Sequence, residues 1–168
     1  MLRRLYDWTL SLASGPRAPA ALGTVSFVES SFFPIPPDVI MIPMILAARE
    51  KAFHIAAVAT VASVLGGIAG YAIGAGLYET LGLMIIDFYG YAEKFSTFQE
   101  WYQDSGEWIV AAGAFTPIPY KVITIASGVA EMDFASFTGI SIVGRGGRFF
   151  LLATLLYWFG APIRSLIE

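Results

Sequence analysis

The sequence predicts an all-α integral membrane protein, built as an inverted repeat of a re-entrant helical hairpin plus a transmembrane helix, with amphipathic helices at the interface. Three observations predict it. Apolar residues make up 57% of the 168-residue chain and charged residues only 14%. A soluble domain carries about 25% charged residues, and one this small leaves too much surface exposed to hide so much apolar area. Two of the four long apolar stretches are broken by clustered prolines. The two halves of the chain echo one another around those breaks.

The elements follow in order, within one membrane domain over residues 1–168. Residues 1–16 read as a short interfacial helix, with Leu2, Leu5, Trp8 and Leu12 toward lipid; Asp7 interrupts the apolar core that a cleaved signal peptide would need. Residues 18–48 form the first broken stretch, interrupted at Phe33-Pro34-Ile35-Pro36-Pro37-Asp38. Residues 52–78 form an unbroken stretch, long enough to cross where about 20 residues suffice. Residues 79–107 interleave acids with Phe88, Tyr89, Tyr91, Phe95, Phe98, Trp101 and Tyr102, which suits extracytoplasmic amphipathic helices with a break at Tyr89-Gly90-Tyr91. Residues 108–130 form the second broken stretch, interrupted at Phe115-Thr116-Pro117-Ile118-Pro119-Tyr120-Lys121. Residues 134–166 form the last crossing helix.

Prolines remove backbone donors, clash with the preceding turn and push the residue before them out of the α region. Several within four positions end a helix, and irregular backbone at membrane depth needs protein or a water-filled cavity around it. Pro34, Pro36, Pro37, Pro117 and Pro119 therefore read as the turning points of two re-entrant hairpins. That topology puts Arg3, Arg4, Arg17, Arg49, Lys51 and Arg164 on one side and Lys94 on the other, which the positive-inside rule favours. Full spans would move Arg49, Lys51 and Lys94 across and weaken the bias. Pro34-Ile35-Pro36 aligns with Pro117-Ile118-Pro119, and Val39, Ile40, Ile42 and Ala47 with Val122, Ile123, Ile125 and Ala130. The hairpins open from opposite sides, so paired broken helices point to a midplane site between the halves.

Composition excludes several chemistries. There is no cysteine and only one histidine, His54, so thiol nucleophiles, zinc-thiolate sites, paired-histidine metal sites and a two-histidine phosphatase have no material. A net charge of −3 gives nucleic-acid binding no electrostatic basis. No cofactor and no metal are expected.

Ionisable groups inside a membrane are costly and mark pathways or relays. Glu29 and Asp38 flank the first break and are candidates for proton or cation coupling; Asp38 also precedes an apolar run, as a helix N-cap would. Lys121 occupies the place of Asp38 in the other half, beside Tyr120. Arg145 and Arg148, in Gly144-Arg145-Gly146-Gly147-Arg148, share a helix face and stand roughly 17 to 21 Å into the last segment. They suit an ion pair with Glu29 and Asp38, or a phosphate held by forked hydrogen bonds. Ser30 lies nearby. Ala62, Gly66, Gly70 and Gly74 make a close-packing face, expected to meet the other crossing helix rather than to dimerise.

Taken together, Glu29, the Phe33-to-Asp38 motif, the glycine-rich second segment, the Phe115-to-Lys121 motif with Gly128, and Gly144-Arg145 with Arg148 resemble the DedA superfamily, whose members carry the VTT, or SNARE-associated, domain. The likeness runs from about residue 20 to 165 and is nearest in kind to a YqaA-like branch. It implies a multi-pass protein of the bacterial inner membrane with two facing re-entrant hairpins, and transport or translocation of polyprenyl phosphate or phospholipid headgroups, coupled to protons. The family's acidic pair falls on Glu29 and Asp38. Its second hairpin carries arginines around the proline; here Ala114 and Tyr120-Lys121 stand there, and the arginines lie in the last segment.

The expected function is a translocase, not an enzyme, in which Glu29 and Asp38 take up protons or cations and Lys121, Arg145, Arg148, Ser30 and Tyr120 meet the substrate. Its partners would be membrane lipids and an anionic lipid headgroup, with room for a homo-oligomer. An intramembrane lipid-phosphate hydrolase using Ser30 or Ser31, and a non-catalytic membrane scaffold, are the competing readings.

Overall fold

In a computed structural model the described residues are 7, 11, 15–31, 37–90, 92–116 and 120–167, with 29–31, 85 and 163–167 described by backbone alone. They are helical throughout, with no strand among them. The elements are α1 (Ala18–Ser31), α2 (Asp38–Ala47), a 3-10 turn (Arg49–Lys51), α3 (Ala52–Leu77), a π turn (Tyr78–Gly82), α4 (Leu83–Tyr89), α5 (Ala92–Phe115), α6 (Tyr120–Val129) and α7 (Phe134–Ile167). Two runs are long and apolar enough to cross a membrane, the 34 residues Arg49–Gly82 and the 29 residues Phe134–Pro162. The interfacial helix expected over residues 1–16 lies almost wholly outside the described residues, as do Pro34, Pro36, Pro117 and Pro119.

Helix boundaries follow the chemistry of the breakers. α2 begins at Asp38, directly after buried Pro37, and α6 begins at Tyr120. α4 ends at Gly90, whose φ of 67° is the left-handed conformation that glycine adopts without a Cβ penalty. No breaker separates the amphipathic 92–107 stretch from the apolar residues after it, so α5 runs without interruption from Ala92 to Phe115. The hydropathy change at Trp108 falls inside one continuous helix. Between α6 and α7 the Glu131 amide donates to the Gly128 carbonyl and the Met132 amide to the Ser127 carbonyl. This paired closure ends α6 with Glu131 left-handed at φ 55°.

Neighbouring residues fix the helix directions. Gly23 lies beside Val58 and Ala62, and Phe27 beside Gly66, so α1 runs parallel to α3. Tyr120 lies beside Gly67 and Gly128 beside Tyr71, so α6 also runs parallel to α3. Phe53 meets Phe150 and Tyr157 while Tyr71 meets Phe134 and Phe137, so α7 is antiparallel to α3. Asp38 meets Arg148 and Leu46 lies by Gly160, which makes α2 parallel to α7. Ala114 lies by Gly144 and Phe115 by Gly147, while Gly106 lies by Met132, so α5 is also parallel to α7. Three helices, α1, α3 and α6, thus point one way, and α2, α5 and α7 the other.

α3 is the central post. Its glycine face was expected to meet the other crossing helix; it receives the short arms instead. A Cβ on Gly66 would run into the Phe27 carbonyl of α1, and one on Gly74 into the Ile125 carbonyl of α6. Across the second contact, a Cβ on Gly128 would strike the Tyr71 carbonyl. Each contact is backbone on backbone, which only a residue without a side chain permits. Two apolar cores flank this post. One gathers Leu22, Met41, Ile45, Ile55 and Phe149 from α1, α2, α3 and α7. The other gathers Tyr102, Val110, Met132 and Phe137 around α5 and the start of α7.

Candidate functional site

The middle of α7 carries two positive charges into the protein. Ser141, Arg145 and Phe149 recur at four-residue spacing, and all three are fully buried. A bare guanidinium in apolar surroundings is prohibitively costly, so its contacts decide whether it is tolerated. Arg145 Nε donates to Ser63 Oγ of α3 at 2.6 Å. The guanidinium carbon lies 4.9 Å from the centre of the Tyr120 ring and 4.8 Å from that of Phe149. Such desolvated cation–π contacts contribute about 2 kcal/mol or more each at best. The Tyr120 hydroxyl, also buried, is hydrogen-bonded to Ser141 Oγ. Arg145 therefore ties three helices together: α7 by its backbone, α3 through Ser63, and the first residue of α6 through Tyr120.

Arg148, one turn on, faces a different neighbour. Its NH2 donates to Asp38 Oδ2 at the start of α2, closing an ion pair whose side chains are 19% and 23% exposed. Asp38 places its charge at the positive end of α2, but no side chain caps that helix; the carboxylate goes to the arginine. The other oxygen, Oδ1, is buried with no hydrogen-bond partner among the described residues. Of the five N–H donors of Arg148, one is used on the described residues. The pair opens onto a cleft of about 270 Å³ walled by Ile42, Phe115, Leu151, Leu152 and Leu155. Spare arginine donors beside a carboxylate in an otherwise apolar cleft are the arrangement of a polar ligand site.

The sequence-predicted residues are placed unevenly. Arg145 and Tyr120 are brought together, as are Arg148 and Asp38. Lys121 is half-buried at the start of α6 and forms no side-chain hydrogen bond or ion pair with the described residues. Glu29 and Ser30 close α1 in the backbone, but their side chains lie outside the described residues. Phe115 was named only as the start of the second break, and Ser63, Ser141 and Phe149 were not singled out as site residues from sequence. Two signals pointed to them: Ser63 precedes Gly66 on the glycine face by one turn, and Ser141 and Phe149 stand four residues either side of Arg145. No group of three or more acidic or histidine ligands for a metal occurs among the described residues.

Comparison with known proteins matches the VTT domain over residues 33–158. A protein of Haemophilus influenzae, described only as uncharacterized, is 40% identical over 98% of this chain and 87% of its own length. An uncharacterized protein of Histophilus somni is 38% identical with the same coverage. No solved structure matches.

Proposed function

The chain belongs to the VTT-domain family of DedA membrane proteins, and on that premise we propose that it is a translocase for an anionic lipid headgroup, polyprenyl phosphate or phospholipid, coupled to protons. It would act as a carrier and not as an enzyme, in the bacterial inner membrane, with two re-entrant hairpins facing each other. The helix directions support the topology. α1 and α2 run oppositely on either side of the first proline cluster, and α5 and α6 on either side of the second. The first half reads up, down, up and the second down, up, down, the relation expected of inverted halves.

The observation that carries the proposal is the pair between Asp38 at the start of α2 and Arg148 within α7, open to an apolar-walled cleft. The coupling follows from elementary electrostatics. While Asp38 is ionised it occupies the arginine. A proton on Asp38 removes that attraction and frees a guanidinium fork for a phosphate oxygen pair. Loss of the proton restores the competitor and expels the anion. Arg145, fixed by Ser63 and Tyr120, would supply a second, immobile positive field that lowers the cost of bringing phosphate so deep. Glu29, at the end of α1, is the second proton candidate, and Ser30 and Lys121 the remaining substrate contacts.

Reconstitution in liposomes tests this. Labelled polyprenyl phosphate and labelled phospholipid should cross leaflets faster with the protein than without it, and faster still under a pH gradient. Arg148→Ala and Asp38→Asn should each lower that rate at least tenfold at normal abundance. No flipping and no ion flux under any gradient would remove the reading. Loss of protein and activity in parallel would point to a purely structural pair, and release of inorganic phosphate to a hydrolase.

A further inference from the structure

A second polar cleft lies away from Asp38 and Arg148, at the end of the molecule where α2 turns into α3. Its walls are Arg49, Glu50, Tyr157 and Trp158, and its volume is about 580 Å³. Arg49 donates from NH2 to the Tyr157 carbonyl of α7 and lies 5.7 Å from the centre of the Tyr157 ring. The arginine is not satisfied by that bond. Its Nε is buried with no hydrogen-bond partner among the described residues. Gly160 packs close by: a Cβ there would sit 3.5 Å from Nε. Glu50 and Trp158 are exposed on the rim.

We propose that this cleft is a fixed interfacial site for a phospholipid headgroup that carries both a phosphate and a free ammonium, distinct from the translocation path. The chemistry of the four walls matches both groups. The guanidinium N–H groups not spent on the Tyr157 carbonyl take a phosphate oxygen. The Glu50 carboxylate and the exposed Trp158 ring take the ammonium. A purely anionic headgroup would meet Glu50 as a like charge. The level is that of lipid headgroups: Arg49 starts one membrane-length apolar run, and Tyr157 and Trp158 lie near the end of the antiparallel one. Tyrosine, tryptophan and arginine concentrate at that depth. This placement favours a lipid over a dissolved phosphate.

Delipidated protein in detergent, titrated with short-chain lipids while thermal unfolding is followed, tests the site. Phosphatidylethanolamine should raise the unfolding midpoint at concentrations at least tenfold lower than phosphatidylglycerol does, and inorganic phosphate should have no effect. Glu50→Gln, at an exposed position with no fold contact to lose, should abolish that preference. Arg49→Gln should abolish it too, leaving any response through the translocation path equal for the two lipids, and Lys51→Gln should leave the preference intact. Asp38→Asn should also leave it intact, so failure of translocation and failure of this site are separable. Equal response to the two lipids, a preference that survives Glu50→Gln, or an equal effect of free phosphate would overturn the proposal.

Discussion

At the scale of residues, the protein holds two arginines three positions apart in two unlike ways. Arg145 is locked: a serine, a tyrosine ring and a phenylalanine ring surround it, and no water reaches it. Arg148 is held by one carboxylate at the lip of a cleft. Substitutions should separate the two. Ser63→Ala removes a hydrogen bond to a buried charge and should cost about 1.5–3 kcal/mol of stability, read as a lowered unfolding midpoint in detergent. Arg148→Ala should cost less than the roughly 3–5 kcal/mol of breaking a fully buried pair, because both partners keep some exposure. A double-mutant cycle of Asp38→Asn with Arg148→Gln should show coupling of at least about 0.5 kcal/mol; additivity would mean that the two charges do not sense each other. That both arginines stand within the last long helix was legible in the sequence, since the apolar run continues on either side of them. Ser63 was not legible as the partner of Arg145, because the two stand 82 residues apart and meet only when α3 and α7 pack.

Among the elements, α3 decides the architecture through glycines at three close contacts. Gly74→Ala and Gly128→Ala each place a methyl against backbone, which cannot yield as a flexible side chain does. Each should destabilise by about 1–3 kcal/mol, and Gly76→Ala, with open space around it, should not. The turn into α7 offers two further tests. Glu131 adopts a left-handed conformation that costs a residue with a Cβ roughly 1–2 kcal/mol, so Glu131→Gly should stabilise by about 1 kcal/mol. Asp133 caps α7, its Oδ2 accepting from the Ser136 amide at 2.9 Å. The Ser136 amide first, and its hydroxyl second, hold the Asp133 carboxyl below the usual value of 3.8. A lowered folded value means the cap's contribution is complete above that usual value and fades as pH falls through the lower one. Amide exchange in the first turn of α7 should therefore quicken only in strong acid, and at neutral pH in Asp133→Ala. Element boundaries were legible wherever proline or glycine wrote them, at Asp38, Tyr120 and Gly90. They were misjudged at Trp108, where polarity changes but nothing stops a helix. The glycine face was recognised as a packing surface, but its partner was not. A motif states that backbones approach, and not which backbone arrives.

For the whole molecule, α1–α3 and α5–α7 fall into two opposed sets of three, with charge buried where α2, α6 and α7 converge on α3. Overall hydrophobicity and the paired proline clusters were enough to suggest this plan, because both are properties of the chain itself. The joining of Asp38 to Arg148, and of Tyr120 to Arg145, depends on how the halves dock and had to be seen. The account requires that the cleft between the halves be reached by water from both faces of the membrane in turn. The absence of native cysteine makes this directly measurable. A single Phe115→Cys variant, on the cleft wall beside Arg148, can be labelled with a membrane-impermeant thiol reagent in vesicles of either orientation. The account predicts labelling from both faces, with Asp38→Asn changing the ratio between them. Labelling from one face alone, unaffected by Asp38→Asn, would contradict it.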